Sequence, residues 1–172
     1  MTNPKIYGRI IDGVDAKIEH YPYQVSLHRN GAYICGGSII GGKIILTAAH
    51  CTLFHSGISV SVRYGSSFVN QGGAIIEVSM LYEHVRYNPQ TNDYDISLLR
   101  LDRNMQLLSP QAEIVNLVPS KTPEGGRSAE VTGWGCIEES GPTSEKLQVL
   151  EVQEVDRDAC NKVRANFSKF NP

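Results

Sequence analysis

The chain has 172 residues, 41% of them hydrophobic, with a formal net charge of −2. That is enough apolar material for one domain or two small ones, and it argues for a globular protein. The charge provides no basic stripe for a phosphate backbone, so nucleic acid is excluded as an expected partner, and no apolar run is long enough to suggest a membrane span. The N-terminal stretch MTNPKIYGR has no apolar core of a signal peptide. Short runs rich in Val, Ile and Tyr then follow one another: PYQVSLHR, YICGGSII, KIILTAA, ISVSVRYGS, AIIEVSML and DISLLRLD. Several alternate apolar with polar residues and are bounded by glycine, the signature of antiparallel strands. A stretch between Leu107 and Arg127 rich in Pro, Ser and Gly reads as a connection between two β units. Two more strand-like runs follow, AEVTGWG and LQVLEVQEV, and from Asp156 the segment DRDACNKVRANF predicts one helix of two or three turns with an Asp cap. Without helices between the strands, a parallel sheet is disfavoured and an all-β barrel or sandwich favoured.

Four cysteines, Cys35, Cys51, Cys136 and Cys160, are too few and too far apart for a CxxC zinc site, and their spacing alone assigns no pairing. No cofactor or metal motif is visible. Within Thr47-Ala48-Ala49-His50-Cys51 a single histidine sits beside alanines, where a packed core role is the ordinary reading. Its context argues otherwise. Asp95 enters the apolar strand DISLLRL, where an ionised carboxylate needs a hydrogen-bonding reason to be present.

In combination, PYQVSLH, CGGSII, ILTAAHC, DYDISLLRL and VTGWG resemble the trypsin/chymotrypsin-like serine proteases in order and rough spacing, from Arg9 onward. The resemblance implies a double β-barrel: residues 1–9 as a propeptide remnant, 10–118 as an N-terminal barrel, and 119–172 as part of a second barrel with the short helix. It implies that His50 is the general base and that Asp95 holds its imidazole in the correct tautomer. It implies a Cys35–Cys51 bridge pinning the histidine loop, which chain-entropy arguments value at about 3 kcal/mol. Arg9-Ile10 is similar to the family's activation junction, although Asp12 stands where glycine or asparagine is usual.

The family's nucleophile motif, Gly-Asp-Ser-Gly-Gly, occurs nowhere in the 172 residues, and with it the oxyanion hole and specificity pocket are expected to be missing. Ser140, after VTGWG, and Ser38, in CGGS, are poor substitutes: one is placed by the resemblance in a surface loop and the other is a small packed strand residue. Hydrolysis is therefore not expected of this chain as it stands. The alternative is a non-catalytic homologue that binds a protease, an inhibitor or a substrate through the first barrel. Partners implied by the resemblance are protein or peptide substrates and protease inhibitors, with the chain a monomer in an extracellular setting.

Several smaller expectations follow. Cys160 and Cys136 are expected as free thiols, with an intermolecular bridge or a Cys136–Cys160 pair as alternatives. No calcium is expected, because SSFVNQGGAIIE carries no acid before Glu77. Asn166-Phe167-Ser168 is a glycosylation sequon. His20, His28, His55 and His84 are read as solvated or structural. The second unit is expected as a two-stranded ribbon, weakly held and leaving Trp134 poorly covered.

Overall fold

The structure, a computed structural model, describes residues 10–53, 59–107, 110–117, 125–138 and 141–170, with the helix side chains described as far as Val163. Arg9, His55, Ser140, the boundary at 118–119 and the side chains of the sequon lie outside the described residues.

A two-residue strand β1 (Val14–Asp15) is followed by six strands that close on themselves: β2 (Gln24–Arg29), β3 (Ala32–Gly41), β4 (Ile44–Thr47), β5 (Val60–Tyr64), β6 (Ala74–Glu83) and β7 (Ser97–Leu101). All pairings are antiparallel, in the order β2-β3-β4-β7-β6-β5. The period-2 pattern explains why. In β7, Ser97, Leu99 and Leu101 are buried while Leu98 and Arg100 face out, and in β5 Val60, Val62 and Tyr64 point inward. The inward set, with Val25, Leu27, Ile39 and Ile45, fills the barrel as one core.

Gly37 of CGGS has a steric reason. A Cβ there would lie 2.8 Å from Ile45 Cγ2 and 3.0 Å from the Leu46 carbonyl, so the β3–β4 approach requires glycine.

The second unit is a sheet rather than a ribbon. Strands β8 (Ser128–Gly133) and β9 (Gln148–Gln153) pair along their length, and β1 adds a third strand through Val14↔Val149 and Asp15↔Gln148. The expectation for Trp134 is overturned: it is 1% exposed. Its indole packs edge-on against Tyr33 of β3 at 6.4 Å, its Nε1–H donates to the Ser67 carbonyl at 3.0 Å, and Ile18, Val69 and Leu147 complete the cluster. The first barrel thus supplies the cover that the local strands lack. The same contacts partly bury Tyr33, whose phenol is pushed up to about 12 by desolvation.

The helix α1 (Arg157–Phe170) is longer than the two or three turns read from sequence, since no glycine or proline interrupts it before Pro172. Its start is capped as expected: Asp156 Oδ1 accepts the Ala159 amide at 2.8 Å. No described helix is long and apolar enough to cross a membrane.

Trp134 is therefore one fastening of the second sheet to the barrel. Trp134→Ala is expected to cost about 3–5 kcal/mol in urea unfolding, with amide exchange rising in β8 and β9 while β2, β3, β4 and β7 stay protected.

Candidate active site

The register of two neighbouring strands places the histidine and the carboxylate. Strand β4 pairs with β7 so that Thr47 lies opposite Ser97. His50 lies just beyond the end of β4 and Asp95 just before the start of β7, so both leave the ladder at the same end. His50 sits in a short 3-10 turn, Ala49–Cys51. That turn is anchored by buried hydroxyls: Thr52 Oγ1 lies 3.0 Å from the Ala49 carbonyl and 3.1 Å from Ser97 Oγ, and Ser97 Oγ–H donates to the Tyr82 carbonyl at 3.2 Å.

The carboxylate grips the histidine at two points. His50 Nδ1–H donates to Asp95 Oδ2 at 2.7 Å, and the His50 backbone N–H donates to Asp95 Oδ1 at 2.8 Å. A carboxylate accepts and does not donate, so in the neutral imidazole this contact puts the proton on Nδ1 and leaves Nε2 with a lone pair. Burial raises the Asp95 pKa, but the hydrogen bonds from the His50 side chain and backbone, with the Ala49 amide, outweigh it and hold the carboxyl below its usual value. The imidazole remains 44% exposed and the carboxylate 23%.

Cys35 and Cys51 are joined, with an S–S distance of 2.01 Å across a separation of 16 residues. This ties the histidine turn to β3. His50 Nε2 lies 3.3 Å from Cys51 Sγ and 4.0 Å from Cys35 Sγ. These three atoms have the spacing of a metal-ligand trio. The two sulfurs are bonded to each other, however, so neither is the thiolate that a zinc site takes. Cys136 and Cys160 are free, the first buried and the second exposed.

The imidazole opens onto a cleft of about 400 Å³ between β3, β4 and the second sheet, lined by Ser38, Thr47, Val131 and Gly133 among others. Ile10 lines it too. Its side chain is 4% exposed, and its backbone N–H donates to the Cys136 carbonyl at 2.9 Å. Asp12 adopts φ +64°, the left-handed region that glycine and asparagine favour and aspartate tolerates. Thr132 Oγ1–H donates to Gln24 Oε1 at 2.7 Å, bridging the sheet to the barrel across this cleft. Among the other histidines, His28 is buried in β2 against Ser26 Oγ at 2.9 Å, and desolvation lowers its pKa.

The sequence reading did not single out Thr52, Ser97 or Gln24. For Thr52 the signal was its place directly after Cys51, and for Ser97 its inward position two residues after Asp95. Gln24 showed nothing beyond its polarity within an apolar strand.

The family model for trypsin matches residues 10–171. The chain belongs to the trypsin family. It is 36% identical over 157 residues to trypsin alpha-4 of Lucilia cuprina, covering 91% of this chain and 61% of that protein. It is 38% identical over 159 residues to trypsin beta of Drosophila erecta, covering 91% and 62%. The chain thus spans about three fifths of the length of these relatives. Among solved structures, the scabies mite inactivated protease paralogue S-D1 superposes with a TM-score of 0.82 at 28% identity, covering 92% of this chain and 68% of that one. Human heparin binding protein gives 0.77 at 28% identity, covering 88% and 68%.

The lowered Asp95 pKa sets the sign of a pH effect. The His50–Asp95 contact contributes in full above the ordinary carboxylate value of 3.8 and is lost as pH falls through the lower folded value. The difference in thermal midpoint between the native chain and Asp95→Asn is expected to shrink as pH falls below 3.8.

Proposed function

We propose that this chain is the acid–base half of a trypsin-like serine endopeptidase. In this reading His50 takes the proton from a serine hydroxyl and returns it to the leaving amine, while Asp95 keeps Nε2 available and stabilises the imidazolium. The observation that carries it is the two-point contact between Asp95 and His50. Cys35–Cys51 holds the base, and Arg9-Ile10 is the activation junction. Protein or peptide substrates and protease inhibitors are the partners, the chain is a monomer, and a disulfide beside the site fits an extracellular setting.

The 172 residues include no Gly-Asp-Ser-Gly-Gly, so they supply neither a nucleophile of that kind nor its oxyanion amides. Losing a triad serine alone costs about a millionfold in turnover, and the residual rate depends on an oxyanion hole. By itself the 172-residue chain does not hydrolyse peptide bonds. A second reading, a non-catalytic homologue that binds a protease, an inhibitor or a substrate, draws on the likeness to the scabies mite inactivated paralogue. The paired His50 and Asp95 weigh against it, since a binding surface has no chemical need for an oriented imidazole.

A fluorophosphonate probe is expected to leave the 172-residue chain unlabelled, and labelling blocked by a serine-protease inhibitor would overturn its inactivity. Fused to the remaining C-terminal segment of the Lucilia cuprina relative, the chain is expected to cleave peptides, with His50→Ala lowering turnover by about 10⁴-fold or more. Cleavage unaffected by that substitution contradicts the role of His50.

A further inference from the structure

Asp95 reaches His50 from a loop that leaves β6 at Glu83 and re-enters the barrel at Ser97, a pair in register across the β6–β7 ladder. The loop is closed by His84 N–H to the Ile96 carbonyl at 3.0 Å and by an Asn88–Asp93 bridge. Immediately before Asp95, Tyr94 adopts φ +56°. Left-handed backbone suits asparagine, as at Asn92 with φ +55°, but strains a bulky aromatic residue. Such strain persists only where the surroundings over-determine it. From this conformation the Tyr94 carbonyl accepts the Ile96 amide at 2.8 Å, a tight turn centred on Asp95.

Two neighbouring side chains, His84 and Arg86, supply the determination. The His84 ring stacks on Tyr94 at 4.8 Å and 4° between planes. Arg86 Cζ lies 5.6 Å from the Tyr94 ring centroid, and Arg86 Nη1 donates to Tyr94 Oη at 3.4 Å. The Arg86 backbone N–H donates to His84 Nδ1 at 3.2 Å, so the stacking ring is itself oriented. Tyr94 is half exposed, so burial alone does not explain its place. The stack holds the left-handed residue that directly precedes Asp95.

We infer that His84, Arg86 and Tyr94 form a positioning clamp that fixes the turn at Asp95 so that both carboxylate oxygens meet His50. The inference rests on the proposed role of that pair, and it assigns His84 a task beyond a solvated or structural one. The clamp touches no reacting atom. It acts through Asp95.

The test is the low-field proton resonance of His50 Nδ1–H in the 172-residue chain, a signature of the carboxylate hydrogen bond that a merely structural change elsewhere does not move. The native chain is expected to show it. His84→Ala and Tyr94→Gly, the latter free to adopt φ +56°, are expected to lose it while amide spectra of the barrel stay unchanged. His84→Phe, which keeps a flat ring against Tyr94, is expected to restore it. Persistence of the resonance in both His84→Ala and Tyr94→Gly overturns the clamp. Asp95→Asn separates the two levels: its loss of the resonance upholds the His50–Asp95 pairing whatever the clamp variants do, and its retention of the resonance contradicts that pairing instead.

Discussion

The contact on which the site depends is the double hydrogen bond from His50 to Asp95, 2.7 Å from the ring and 2.8 Å from the backbone. Two bonds to one carboxylate fix orientation as well as distance. A single bond would let the imidazole swing about the contact, whereas here the turn that carries the ring is held by the same group that holds the ring's proton.

The barrel is built so that the constraint is met without searching. Antiparallel pairing of β4 with β7 brings Thr47 opposite Ser97, and the chain segments that run past those two residues carry His50 and Asp95. A one-residue slip would turn Leu99 and Leu101 to solvent and Asp95 away from the turn, so the core that fixes the register also fixes the site. The Cys35–Cys51 bridge and the Thr52–Ser97 hydroxyl contact add ties to either side of the histidine. Thr132 of β8, Trp134 just after it and Ile10 ahead of β1 wall the cleft in front of the imidazole.

Much of this was readable from residues alone, for identifiable reasons. Strands showed as period-2 alternation because one face of each is buried, and β7 is the clearest case. His50 and Asp95 were found through the motifs around them, since neither residue type carries its role on its own. Trp134 was misjudged because its cover comes from Tyr33 and Ser67, far away in sequence, and no local pattern reports a contact of that range. β1 is too short to leave a periodic signal and exists as a strand only because β9 offers it an edge. The Cys35–Cys51 pairing is invisible in spacing and becomes clear once β3 and the histidine turn are side by side. The stacking of His84 on Tyr94 depends on a left-handed backbone at a tyrosine, which sequence rules argue against.

The chain belongs to the trypsin family, and the oriented imidazole is the feature that the proposed acid–base role requires. The most direct test of that role is the tautomer of His50 in the native chain, read by nitrogen-15 NMR above the pH at which the ring is protonated. The two-point contact predicts a proton on Nδ1 and an unprotonated Nε2. A ring with its proton on Nε2 would contradict it, because that imidazole has no lone pair with which to accept a proton at the cleft.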